Sequence, residues 1–540
     1  MPDTASLPMP RSLAARRSLP GPHSLPMSRL EATTPLFNGP NWDYGSLRQV
    51  YDAIERIAVD EIGLDVYPVQ VEVITSEQML DAYASVGLPL MYHHWSFGKR
   101  FAFHETLYRK GLQGLAYEIV INSNPCICYI MEENSMTMQT LVMAHAAFGH
   151  NHFFKNNYLF RQWTDANGIL DYLSFARDYV AKCEEKYGYE AVERILDAGH
   201  ALKDHGVNRY ARRSRPNLAE ERRRMSERQA YDEATFNDLW RTVPTPEKDE
   251  DEIEDEDKRQ DIQRKLGLPE ENLLYFIEKR APRLEDWQRE LIRIVRHVSQ
   301  YFYPQRQTQV MNEGCATFCH YTIMNRLHDR GLITEGAMLE FLHSHSSVVF
   351  QPGFDDPRYG GLNPYALGFS MMDDIRRICT NPTEEDREWF ADIAGNQDPF
   401  GVLRHAWANY RDESFILQYM SPEIIRRFRL FQINDDSSKP SLRVEAIHDE
   451  LGYRRIRSAL SKQYDLSRRE PDIQVVDVDL TGDRCLVLAH YVHDGVLLEE
   501  KSCRAVLRHT SLLWGYAVKL LEIEAATDKV LKTYDAGDTK

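Results

Sequence analysis

Long apolar runs are missing from this sequence: no window approaches eighteen consecutive apolar residues, which excludes a helix that spans a bilayer. The amino-terminal stretch has arginines but no apolar core of the length a secretory signal needs, and Pro10, Pro20, Pro22 and Pro26 would break an amphipathic transit helix. It reads as a tail (1–38), with Met27 as an alternative start. Cysteine is sparse, eight in 540 residues, which excludes a disulfide-dense secreted framework and leads to an expectation of reduced thiols in the cytoplasm. The Cys126/Cys128 and Cys315/Cys319 spacings are not those of a zinc knuckle. Positive charge is in deficit, 65 Lys and Arg against 82 Asp and Glu, for a net charge of −17. That balance argues against a general nucleic-acid binder, which needs a basic face for phosphate. Dinucleotide, Walker A, nucleophile-elbow and kinase signatures are absent from any supporting context, which disfavours nucleotide chemistry.

What is present is a chain of ordinary globular composition, 43% hydrophobic and 27% charged, and long enough for two or three domains. Apolar residues at three- and four-residue spacing predict a helix over 46–63, a strand at 69–74 and a long, interrupted helical run from about Ser135 to His200. Helical patterning returns from Leu273 to about Leu430, and a strand and helix alternation fills the last hundred residues. The fold class expected is α+β: a mainly helical body with short strands, plus a small C-terminal ferredoxin-like α+β domain of β-α-β-β-α-β order. The expected divisions are the tail, a first half of the body (39–207), a charged linker (208–272), a second half (273–430), the C-terminal domain (431–525) and a second tail (526–540). Within the linker, Glu247 to Asp257 holds nine acids and one lysine, so about half of the net charge sits there rather than on a folded surface.

Histidine is the informative residue. His93 and His94, His145, His150 and His152, His320, and His343 and His345 fall in four short segments, and neutral imidazole is both a common metal ligand and an acid/base near neutrality. In HAAFGHNHFF, His145 and His150 are five apart. On a regular α-helix that spacing leaves the two rings about 140° apart, whereas a π-bulge would bring them to one face. Alternatively the helix ends at Gly149 and the later histidines lie in a turn. In NEGCATFCHY, Glu313 and His320 share a helix face. Two histidines from one helix and a glutamate from another resemble the ligand set of gluzincin metallopeptidases. The candidate divalent metal, zinc or iron, would take His145, His150 and Glu313. His152 and His320 stand behind the ligands or are alternates to them, and with Glu118 they are the catalytic candidates; Glu118, Glu132 or Glu133 could supply the base that a zincin places beside its first histidine. Arg306, Gln307 and Gln309 could grip an anionic or amide substrate, or Arg306 could pair with a core acid.

The strings EVITSEQMLDAYASVGLPLMYHHWSFGK, GLAYEIVINSNPC, HAAFGHNHFFKNNYLFRQWTDANGILDYL, YFYPQRQTQVMNEG, FLHSH, NPYALGF and RIRSALSKQYDL closely resemble the SpoVR family, stage V sporulation protein R, from about Trp42 to Ile523. The resemblance implies a bacterial cytoplasmic protein linked to spore cortex assembly in spore formers. Elsewhere it implies a stress or stationary-phase role beside a PrkA-type serine kinase and a von Willebrand-like partner. It does not carry a defined activity. A non-catalytic scaffold that docks such a kinase is the alternative to a metallohydrolase. Cys315 and Cys319 depart from the family pattern, which has tryptophan at both positions.

Overall fold

Leu47, Val50, Ala53 and Ile54 form the buried stripe of helix α1 (Tyr44–Glu55), whose start is set by a capping box between Asp43 and Ser46. The structure, a computed structural model, describes residues 34–84, 91–96, 99, 118–209, 266–434, 443–479, 482–493 and 495–535. The charged linker lies outside the described residues from 210 to 265, as does the amino-terminal tail to residue 33. Strands β1 (Val69–Ile74), β2 (Glu118–Ile121) and β3 (Cys126–Met131) make a sheet of order β1-β3-β2, with β3 parallel to β1 and antiparallel to β2. One helical rod, α2, follows: Met136–Val142, capped by Ser135, runs into a π-helical Met143–His150 and resumes as Asn151–Asn156. The open alternative between a π-bulge and a helix end at Gly149 is thereby decided for the bulge. Helices α3 (Ile169–Tyr187) and α4 (Tyr189–Ala201) complete the first half.

The second half is helical. Helix α5 (Asp286–Gln307) leads through Thr308 into α6 (Gln309–Asp329), followed by α7 (Glu335–Val348), α8 (Pro364–Thr380) and α9 (Asp412–Tyr419). Helix α6 is the axis of the body, buried on nearly every side. It lies against the π-helical part of α2, where a Cβ on Gly149 would come within 2.5 Å of Ala316 Cα. On another side it lies against α8, where a Cβ on Gly368 would meet Val310 O at 2.2 Å. Its first turn is held by the buried Asp412, whose carboxylate oxygens accept the Val310 and Met311 N–H groups at 2.9 and 2.8 Å.

The C-terminal region is α+β as expected, but its strand order is not the ferredoxin-like one. Strand β5 (Arg443–Ala446) pairs antiparallel with β4 (Gln432–Asn434) as a separate ribbon. The helix that follows it, α10 (Glu450–Tyr464), buries Tyr453, Ile456 and Leu460 in the core of the helical body. The four-stranded sheet runs in simple order: β6 (Asp472–Val478), β7 (Leu486–Val492), β8 (Val518–Glu524) and β9 (Lys529–Asp535), with helix α11 (Glu500–Trp514) joining the parallel pair β7 and β8. Alternation had marked a β-α-β unit correctly; what it could not show is which strands pair. Strand β9 lies in the stretch expected as a tail. The sheet's apolar face, with Val475, Leu486, Leu488 and Leu520, shares one core with Leu173, Val192, Leu291 and Val295 of α3, α4 and α5. The two ends of the charged segment are tied together beside it: Asn208 Nδ2 donates to Glu270 at 2.9 Å and Arg209 N–H to Glu271 at 2.7 Å.

The α6 and α8 backbones touch through glycine, so Gly368→Ala is expected to cost about 1–3 kcal/mol through overpacking. A lowered urea midpoint checks this, and an unchanged midpoint would show that the helices have room.

Candidate metal centre

A side chain five residues on from another faces away from it in an α-helix; the wider π turn removes that offset. His145 and His150 accordingly sit on one face, with ring centroids 4.6 Å apart and planes nearly perpendicular at 89°. Glu313, in the first turns of α6, faces them: its Oε2 is 3.6 Å from His150 Nε2 and 3.9 Å from His145 Nε2. Glu118, on β2, closes the group from the sheet side with Oε1 3.6 Å from His145 Nε2. The donor atoms of Glu118, His145 and His150 all lie within 4.8 Å of one another. Four ligands placed about 2.1 Å from a tetrahedral ion stand about 3.4 Å from each other, so these separations fit a small divalent cation. Glu313 Oε2 is buried without a hydrogen-bond partner, which is the vacancy in bonding that a cation would satisfy.

The electrostatics agree. Burial pushes the His145 imidazole well below its ordinary range, with His150 and His320 adding to the effect, so it is neutral with a lone pair to offer. Burial, and then the neighbouring Glu313 carboxylate, raise the Glu118 carboxyl to about 8.

Behind the donors lies a second set of contacts. His150 Nδ1 donates to Asn312 Oδ1 at 2.9 Å, which leaves Nε2 as the free acceptor toward Glu313. His145 Nδ1 is 2.9 Å from His320 Nδ1, and His320 Nε2 is 3.0 Å from His345 Nδ1. If His145 keeps its Nε2 lone pair for an ion, its Nδ1 carries the hydrogen. The Ala316 carbonyl also accepts from the His145 ring; when His320 accepts that hydrogen at Nδ1 it donates from Nε2 to His345 Nδ1, which links the three rings.

Of the residues expected from sequence, His145, His150, Glu313 and Glu118 come together and His320 stands directly behind them. His152 does not join: its Nδ1 accepts the Asp65 N–H at 3.0 Å and its ring meets Trp407 edge-on. Two residues past the π turn, it points off the shared face. Glu132 and Glu133 are likewise elsewhere, Glu133 capping Ser76 N–H at 3.3 Å. Arg306 pairs with Asp204 at 2.8 Å and with Glu470, the core-acid alternative. Asn312 was missed, because nothing in its spacing distinguishes it from its neighbours. Beside the cluster opens a cavity of about 610 Å³ whose wall includes Asn312 and Glu313 together with Ser96, Lys203, Arg306 and Gln309.

Residues 41–469 match the family described as SpoVR like protein, and residues 471–525 match the SpoVR-like C-terminal domain. The chain belongs to the SpoVR family. It is also 56% identical over 488 residues to a protein of Escherichia coli (strain K12) named Uncharacterized protein YcgB, covering 90% of this chain and 94% of that one. No solved structure matches it. The whole cluster falls within the SpoVR region, and the second region begins where β6 does. In this SpoVR chain the thiols of Cys315 and Cys319 are buried in α6, with Cys315 Sγ 3.8 Å from the Gly149 carbonyl at the contact between α6 and the π turn.

Glu118 binds its proton more tightly in the folded chain than the ordinary value of 4.5 would give, so its stabilising contribution is present at low pH and lost as pH rises toward about 8. A divalent ion held by His145, His150 and Glu313 would sit beside Glu118 and favour its ionised form, so zinc affinity is expected to rise as pH approaches 8, in competition titrations; an affinity flat in pH would show that Glu118 does not face the ion. His320→Phe, which deletes the partner of His145 Nδ1, is expected to weaken zinc binding by about 10–100-fold while the far-ultraviolet circular dichroism stays unchanged.

Proposed function

We propose that His145, His150 and Glu313 hold one divalent metal ion, zinc or iron, and that the protein is a metal-dependent hydrolase with Glu118 as its base. The observation that carries this is the buried, unpartnered Glu313 Oε2 facing two imidazole Nε2 atoms at 3.6 and 3.9 Å. A bound ion would polarise a substrate carbonyl or phosphoryl oxygen and acidify a water. The chain's own part is to present two imidazoles in fixed tautomers, to exclude bulk solvent, and to place at Glu118 a carboxylate basic enough to hold the proton taken from that water. Glu118 supplies from a strand what a zincin supplies from the residue beside its first histidine. The cavity at Asn312 and Glu313 would admit a substrate with polar groups, with Lys203 and Gln309 on its wall.

A place in spore cortex or stress physiology, a cytoplasmic location and work beside a PrkA-type serine kinase and a von Willebrand-like partner are supported by the family resemblance. A pure scaffold is the weaker reading because it leaves Glu313 Oε2 buried with nothing to bind, at a cost of about 1–3 kcal/mol or more.

Metal analysis of purified protein is expected to find about one zinc or iron per chain, lost in Glu313→Ala and kept in Glu118→Gln, which removes the base without removing a ligand. Metal-free, fully folded wild type would overturn the metal centre. Loss of the ion in Glu118→Gln would make Glu118 a ligand and leave the base unassigned.

A further inference from the structure

A second group of reactive side chains borders the same cavity. In the segment YHHWSFGK, His94 is buried, with 2% of its side chain exposed, and both of its ring nitrogens are engaged. Nε2 lies 3.1 Å from Asp197 Oδ1, supplied by α4 from 103 residues away, and Nδ1 lies 2.7 Å from Ser96 Oγ. A carboxylate only accepts, so Asp197 requires hydrogen on Nε2. Nδ1 is then a lone pair, and the Ser96 hydroxyl donates to it. The Trp95 indole N–H, 2.7 Å from the same Asp197 oxygen, holds the carboxylate in place, and the His200 ring packs on His94 at 4.3 Å. Ser96 itself lines the 610 Å³ cavity. The Ser96 backbone N–H also reaches His94 Nδ1, at 3.4 Å, so the two residues share a local turn; the turn by itself accounts for neither the distant aspartate on the other ring nitrogen nor the cavity at Ser96.

We propose that Ser96, His94 and Asp197 form a nucleophile, base and positioning group that act on acyl esters or amides in this cavity. The order of ring nitrogens is reversed from that of the serine proteases, but the logic is the same: base bonded to nucleophile, third group bonded to base. Ser96 Oγ attacks the carbonyl carbon as its proton passes to His94 Nδ1. The same proton goes to the departing alcohol or amine as the bond from carbonyl carbon to leaving group breaks; water then attacks the acyl carbon and gives a proton to His94 Nδ1, the bond from acyl carbon to Ser96 Oγ breaks, that proton passes to Oγ, and the free acid leaves. No metal is needed, so this site is independent of the His145, His150 and Glu313 centre.

The test is covalent labelling of the full chain with a fluorophosphonate, in which Ser96 Oγ displaces fluoride from phosphorus. Peptide mass analysis is expected to place one adduct on Ser96. It should be absent in Ser96→Ala, formed about 100-fold more slowly in His94→Gln, and formed at the wild-type rate after treatment with a chelator. In Asp197→Asn, labelling should slow and its pH profile should shift, which loss of packing alone would not produce. No adduct on Ser96 of the wild-type chain, or equal labelling of His94→Gln, would overturn the proposal.

Discussion

The close approach of α6 to the π-helical turn of α2 is the constraint on which the rest of this structure depends. The extra residue of that turn rotates His150 onto the face of His145, and the missing Cβ of Gly149 lets α6 lie within reach, so that Glu313 arrives opposite both rings. Either feature alone would be idle. A regular helix with the same glycine would bring Glu313 to one histidine, and a π turn kept at ordinary helix spacing would leave the two imidazoles without the Glu313 carboxylate. The strand that carries Glu118 and the helix start pinned by Asp412 are fitted around this contact.

Much of the fold was legible because amphipathic spacing reports local structure directly: the helix at Tyr44–Glu55 and the strand at Val69–Ile74 fall where apolar periodicity places them. Pairing between distant strands leaves no such mark. Arg443–Ala446 has the pattern of a strand whether it joins the large sheet or a two-stranded ribbon, and only the burial of α10 against the helical body decides. At the site, the five-residue interval between His145 and His150 was legible because it conflicts with helical geometry, and local conflict is where function tends to show. Glu118 could be named as a base yet not located, since its position depends on the antiparallel pairing of β2 with β3. Asn312 and the ordering of His320 and His345 depend on rotamers, which no spacing records.

The two reactive groups differ in how they are built. The His145, His150, Glu313 and Glu118 cluster gathers its side chains from a strand and two helices packed in the main core, so its geometry is as rigid as that core. The Ser96 group rests on one short segment anchored to α4 through Asp197 and through Tyr92, whose hydroxyl is 2.5 Å from His200 Nε2. Glu313 of the first and Ser96 of the second line one cavity, so a ligand there would meet both groups.

The tie between Asn208, Arg209 and the Glu270, Glu271 pair has a consequence for how the two halves of the body are joined. The chain leaves and returns at one point, so the 210–265 stretch is closed at its base by bonds that do not depend on its length. The tie joins residues 208–209 to 270–271 directly, so the two halves of the helical body are held together at this point by bonds of their own rather than only through the intervening chain.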